Sequence, residues 1–285
     1  ICRKNLALSD SGGVICRNFR GKTDNQNMNN QRFDILLCAI QGIRSVFAEW
    51  RYLSSAALMP VALTALIEVV KLYGVEKQSI ITELLTLLPA GAAAAWFMFL
   101  QTRLLVFGER SGKPSVHSGE ERRRAFEASM LLWLLVNMAG LAFIAFLLYW
   151  SKSSQTDGSA IITAVGYLLL GAVFWGLRFS VVHILGAIGY PLRDYMYRVN
   201  GAMVSLRIFA MMLIVLLPVS LVAGPVEQAL FGAIKEEAPM LQVSGLLLMV
   251  VTLKFVFLSF FNAAGVFALR QMLKLDMATA RGGKP

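Results

Sequence analysis

The sequence predicts an all-α integral membrane bundle of six transmembrane helices, preceded by an amphipathic interfacial helix. Three observations carry this reading. Hydrophobic residues make up 57% of the 285 residues and charged ones only 15%, where a soluble domain is charged at about one residue in four. The apolar residues run in blocks of about 20, the length that crosses a bilayer as a helix. The blocks lack the strict two-residue alternation of a transmembrane barrel.

Taken in order, residues 1–32 are polar and turn-rich and lack the apolar core of a signal peptide. They read as a disordered leader, with Met28 a candidate start just ahead of the first helix. Residues 33–275 read as one membrane domain, and 276–285 as a cytoplasmic tail. In 33–50, Leu36, Ile40, Ile43, Phe47 and Trp50 recur at three- and four-residue steps. Asp34, Gln41, Arg44 and Glu49 fall largely elsewhere around the helix. That pattern predicts an amphipathic helix, lying in the interface or packed on the end of the bundle.

The spans are expected at 52–73, 84–102, 128–150 and 158–177, then at about 203–223 and about 240–269. The third carries no charge; Arg207 and Lys254 blur the ends of the fifth and sixth. Loop 103–125 reads as a large cytoplasmic loop. Its Ser118, three residues before Glu121, reads as a capping box that opens the next helix.

Lys and Arg number 27 against 17 Asp and Glu, a net charge of +10. They flank the apolar blocks, so anionic headgroups are the natural partner and nucleic acid is not expected. Twenty-two of them fall in 1–51, 103–124, 178–207 and 270–285. The opposite side holds only Lys71, Lys77, Lys152 and Lys235, while Lys254 lies inside the last block. Positive charge marks the cytoplasmic side, so both termini are expected there, as an even number of spans requires.

Lys254 is the first candidate site residue, because charge at mid-membrane costs at least ~3 kcal/mol. It reads as a buried cation facing a cavity or Glu68, or as a lysine snorkelling to an interface. Glu68 also has Lys71 three residues on, the spacing of a helical ion pair. Asn137 and Asn262 are placed to bond across helices. Beyond the fourth span, Arg178, Arg193, Tyr195 and Arg198, with Tyr190 and Tyr197, read as an interfacial belt contacting lipid headgroups or as ordinary anchoring. Pro191 should break helix there.

Catalytic, cofactor and metal signatures are missing. Cys2, Cys16 and Cys38 form no CxxC, and His117 and His183 lie in different loops. The run Gly108-Glu-Arg-Ser-Gly-Lys113-Pro has one residue too few between its glycines for a phosphate loop, and Pro114 stands where Ser or Thr is needed. HExxH and GxSxG do not occur.

The second span ends in WFMFLQTRLLVFGE, Trp96 to Glu109. In that run and in hydropathy over 33–275 the chain resembles proteobacterial six-helix membrane proteins of uncharacterised role. It is more distantly similar to the membrane domains attached to some glycerophosphodiester phosphodiesterases. The resemblance implies a bacterial inner-membrane location and carries over no catalytic residue. The expected function is non-enzymatic: scaffolding or assembling a membrane-protein partner or second copy, or organising lipid. The rival is a small-molecule or ion transporter with a site near Lys254 and Glu68.

Overall fold

The computed structural model describes residues 33–74, 80–110, 118–157, 164, 166–168, 171, 174–199, 202–235 and 238–273. The leader, most of the phosphate-loop-like run and most of the expected fourth span lie outside them. All regular structure among the described residues is helical. In order it is α1 (Ile35–Ala48), α2 (Trp50–Gly74), α3 (Ile80–Phe107), α4 (Gly119–Asp157), a 3₁₀ turn (Leu177–Val181), α5 (Val182–Ile188), α6 (Leu192–Arg198), α7 (Ala202–Lys235) and α8 (Met240–Leu273). The segments Trp50–Tyr73, Leu88–Phe107, Ala202–Lys235 and Met240–Leu273 are long and apolar enough to cross a bilayer. They contain or overlap the first, second, fifth and sixth expected spans. The third expected span runs within α4, whose 39 residues reach roughly 58 Å at about 1.5 Å per residue.

Helix α1 starts where Asp34 caps it, its Oδ1 accepting from the Leu37 N–H at 3.0 Å. Its two faces behave differently. The small residues Cys38, Ala39 and Gly42 are buried, and α1 packs on α8 and α7. At Gly42 a Cβ would sit 2.6 Å from the Ala264 backbone nitrogen, so only glycine permits this approach. Leu36, Ile40, Phe47 and Trp50, four of the five residues that define the apolar stripe, are exposed. The start of α1 is tied down twice: Asp34 N–H donates to Gln271 Oε1 at 2.9 Å, and Arg207 Nη1 donates to the Phe33 carbonyl at 3.0 Å.

Helix α3 is the central element. Of its most apolar window 67% is buried, against 22–28% for the other three candidate spans. It touches α2, α4, α5 and α8. Helix α4 opens with the expected capping box: Ser118 N–H donates to Glu121 Oε2 at 3.1 Å, and Glu121 N–H donates to Ser118 Oγ at 3.2 Å. Helix α5 ends at Gly189 with φ +70°, and Pro191 then starts α6, so the chain breaks where proline requires it. Helix α5 lies flush against α4: a Cβ on Gly186 would meet the Ser129 backbone nitrogen at 2.7 Å. The main core gathers residues of α1, α5, the start of α7 and the end of α8 around Tyr195 and Met211.

Candidate functional site

The second half of α3 carries three consecutive polar residues, Gln101, Thr102 and Arg103, each at most 3% exposed. Burying such groups without partners costs several kcal/mol in hydrocarbon, so each must be satisfied from neighbouring helices. Gln101 Nε2 donates to the Ser259 carbonyl of α8 at 2.9 Å. Asn262, also on α8 and fully buried, answers with its own amide. Its Nδ2 donates to Gln101 Oε1 at 3.1 Å, to the Met98 carbonyl at 3.3 Å and to Thr102 Oγ1 at 3.2 Å. Asn262 thus bonds across helices as its position suggested. Asn137 does not; it donates to the Trp133 carbonyl of its own helix at 2.8 Å.

Those acceptors fix the amide, so Asn262 Oδ1 faces His183 Nε2 at 3.0 Å. The other ring nitrogen, Nδ1, lies 3.1 Å from the Ser180 carbonyl. Both imidazole nitrogens therefore face oxygens that only accept, and a neutral ring can donate to just one. Trp133 of α4 closes over the ring edge-on, with centroids 5.1 Å apart. His183 thus joins α3, α4, α5 and α8 through one buried polar knot.

One turn further on lies a buried ion pair. Gly108, at φ +68°, ends α3 with its N–H on the Leu104 carbonyl at 2.9 Å. That turn folds Glu109 back beside Arg103. Arg103 Nε and Nη2 donate to the two Glu109 carboxylate oxygens at 2.8 and 2.7 Å, the planar bidentate geometry that suits guanidinium to carboxylate. Arg103 Nη1 reaches the Ala187 carbonyl near the C-terminus of α5 at 3.2 Å, where a cation is favoured. The guanidinium also covers the Phe107 ring at 4.3 Å. The next residue, Arg110, pairs with Glu49 at the α1–α2 corner at 2.8 Å. The run Trp96 to Glu109 is therefore the stitching between helices.

The expected headgroup belt is partly overturned. Tyr195 is fully buried and its hydroxyl donates to the Arg178 carbonyl at 2.7 Å; burial pushes its phenol pKa up. Arg178 is buried too, its guanidinium lying 3.7 Å from the centre of the Trp175 ring. Helix α6 folds back on the 3₁₀ turn, so these two side chains hold the chain together and do not face lipid. Arg193 is exposed beside Tyr197, and the Arg198 side chain lies outside the described residues. Lys254 is exposed and not buried, while Glu68 sits 4.0 Å from Lys71. Among the described residues no ion pair joins Lys254 to Glu68, whose partner is Lys71.

Cys38 is buried, and its thiol pKa is pushed up to about 11 by burial and by Asp34, which suppresses reactive thiolate. Among the described residues no group of three or more His, Cys, Asp or Glu converges as a metal site would require.

Among the described residues, two of the concavities lie against this framework. A cleft of about 550 Å³ lies above Arg103 between α4, α5 and α6, with Arg124, Glu121 and Tyr190 on its rim. A groove of about 570 Å³ lies between α1, α2, α3 and α8 and is walled almost wholly by apolar atoms.

Sequence reasoning misses Gln101, Thr102, Arg103, Glu109 and the His183–Asn262 bond. Three polar residues in succession at the end of an apolar block are the available signal. No family model, curated protein or solved structure matches the chain.

Proposed function

We propose that the protein is a multi-pass bacterial inner-membrane protein with six spans and both termini cytoplasmic, and that its role is non-enzymatic: organising lipid or scaffolding a membrane partner. One observation carries the reading. The buried polar groups of the network bond to one another, and the groove along the spans is walled almost wholly by apolar atoms, the charged cleft of similar volume lying instead at the start of α4 and the end of α5. A transporter or enzyme needs polar groups presented to a substrate. The exposed apolar stripe of α1, continuous with α2, adds a surface suited to the membrane interface. The charge asymmetry of the loops supports the orientation.

The test has two parts. Reporter tags at residue 285 and at residue 155 should read opposite sides of the membrane, with residue 285 cytoplasmic; an external C-terminus refutes the topology. In reconstituted vesicles the protein should raise interfacial lipid order, read by an environment-sensitive probe, and pass no current under ion gradients. A current abolished by Lys254→Met would replace this role with transport.

A further inference from the structure

We infer that the apolar groove between α2 and α8 is a binding site for one acyl chain of a bilayer phospholipid, with its phosphate held at the α1–α2 corner. The inference rests on the lipid-organising reading and names the ligand and its place.

The groove follows successive turns of two antiparallel spans. Trp50, Leu53, Ala57 and Val61 form one wall, while Phe260, Val256, Thr252 and Leu248 form the other. Phe97 and Phe255, in edge contact at 5.6 Å, lie behind it. From Trp50 to Ala62 the rise is roughly 18 Å, close to one leaflet of about 15 Å. The groove therefore has the depth of one leaflet, beginning beside Trp50, an aromatic of the type that marks interfaces.

Its chemistry suits an apolar ligand. Two wall hydroxyls turn back onto their own helices: Ser54 Oγ donates to the Arg51 carbonyl at 3.1 Å, and Thr252 Oγ1 to the Leu248 carbonyl at 2.8 Å. Their donors are used, so apart from Ser259 the walls offer hydrocarbon to the occupant. The mouth is different. Arg51, with its guanidinium 6.0 Å from the ring of the lining residue Trp50, and Arg44, one turn before the lining residue Phe47, are exposed on the helices that meet at that end. Arg110 lies on Glu49 at the same corner. Three cations against one carboxylate around the α1–α2 corner complement a phosphate, at the Trp50 end of the hydrocarbon slot. A phospholipid supplies both parts at that spacing, and a second copy of this chain supplies neither phosphate nor a free alkyl chain.

The experiment uses the full chain in phosphatidylglycerol vesicles containing a trace of phosphatidylglycerol with a photoactivatable acyl chain. Cross-links should concentrate in residues 50–62 and 248–260, above the level on the exposed residues Leu213, Ile214, Leu217 and Leu221 of α7. Ala57→Trp, which fills the groove from α2, should lower them about 10-fold, a change of ~1.4 kcal/mol, and leave α7 labelling unchanged. Thr252→Phe, which narrows the groove from α8, should do the same should the first variant not fold. Arg51→Gln should remove the preference for phosphatidylglycerol over phosphatidylcholine. Equal labelling of all three stretches, labelling that survives both fillings, or protein–protein cross-links across the groove would overturn the inference. Groove labelling with unchanged lipid order would uphold this site and refute the organising role.

Discussion

Over 255–273 every residue of α8 is buried or half-buried, whereas over 240–254 only Val243 and Val251 are buried. Both halves are strongly apolar, so hydrophobicity does not distinguish them. What differs is size and polarity. The buried half carries Asn262, Ala263, Ala264, Gly265 and Ala268, which let α1, α3 and α5 approach closely and give them something to bond to. The open half carries Leu246, Leu247, Leu248, Met249 and Val250. Among helices in a bilayer, lipid solvates leucine as well as protein does, so small and polar residues decide which surface is packed.

The largest test of this contrast is the ion pair at the packed end. Glu109→Gln leaves Arg103 charged and buried without its carboxylate, and should cost about 3–5 kcal/mol, read as a drop in thermal unfolding temperature in detergent. At the open end, Glu68→Gln removes a long, partly exposed pair and should change stability by less than ~1 kcal/mol. Equal effects would break the distinction.

Two glycines sharpen it. Gly42→Ala drives a methyl group into the backbone of the packed half of α8 and should cost about 1–3 kcal/mol. Gly245 lies in the open half of the same helix, and a methyl group added there would meet nothing within 4 Å. Gly245→Ala should stabilise by roughly 0.5–1 kcal/mol, since alanine loses less entropy in a helix. Thermal unfolding of both variants should therefore shift in opposite directions.

Between these lies Asn262→Leu. It removes a donor from Gln101 Oε1 and the Met98 carbonyl and leaves both buried, for about 1–3 kcal/mol. Chemical denaturation should also show coupling between Asn262→Leu and Gln101→Leu, the double variant losing less than the sum of the two, because the two residues share one bond. Strict additivity would show that the network is a set of independent contacts.

How much of this is legible in the sequence depends on how local each cause is. The capping box at Ser118 and Glu121 spans one helical turn, and sequence spacing reveals it. The apolar stripe of α1 is likewise local, but the stripe is turned outward and the opposite small face docks, an outcome set by the fit of Gly42 on Ala264. Asn262 is recognisable as an interhelical group by its type. Its partner His183 lies 79 residues away in sequence, and no periodicity relates them. Arg103 counts as a loop cation by sequence because it follows an apolar block. Only the turn at Gly108, which brings Glu109 back, makes it an interior residue. Tyr195 misleads for the same reason: an aromatic near a span end fits an interface belt until the chain folds over it.

The smallest expected effect belongs to Lys254, and it tests the open half most directly. A buried cation without a partner should be relieved by Lys254→Met, raising stability, and a paired one should be missed, lowering it. The side chain is exposed on α8, and Glu68 is already engaged beside Lys71. An exposed lysine on a span extends its ammonium toward water or headgroups, with its alkyl stem along the helix. Lys254→Met then removes a solvated charge and keeps the stem, so stability should move by no more than ~0.5 kcal/mol. Lys254→Met combined with Glu68→Gln should be additive within about the same margin. Coupling beyond that, measured by thermal unfolding of the two single variants and the double, would join the two residues and make the open half a polar site. Additivity keeps it as what its leucines and valines describe, a surface solvated by lipid.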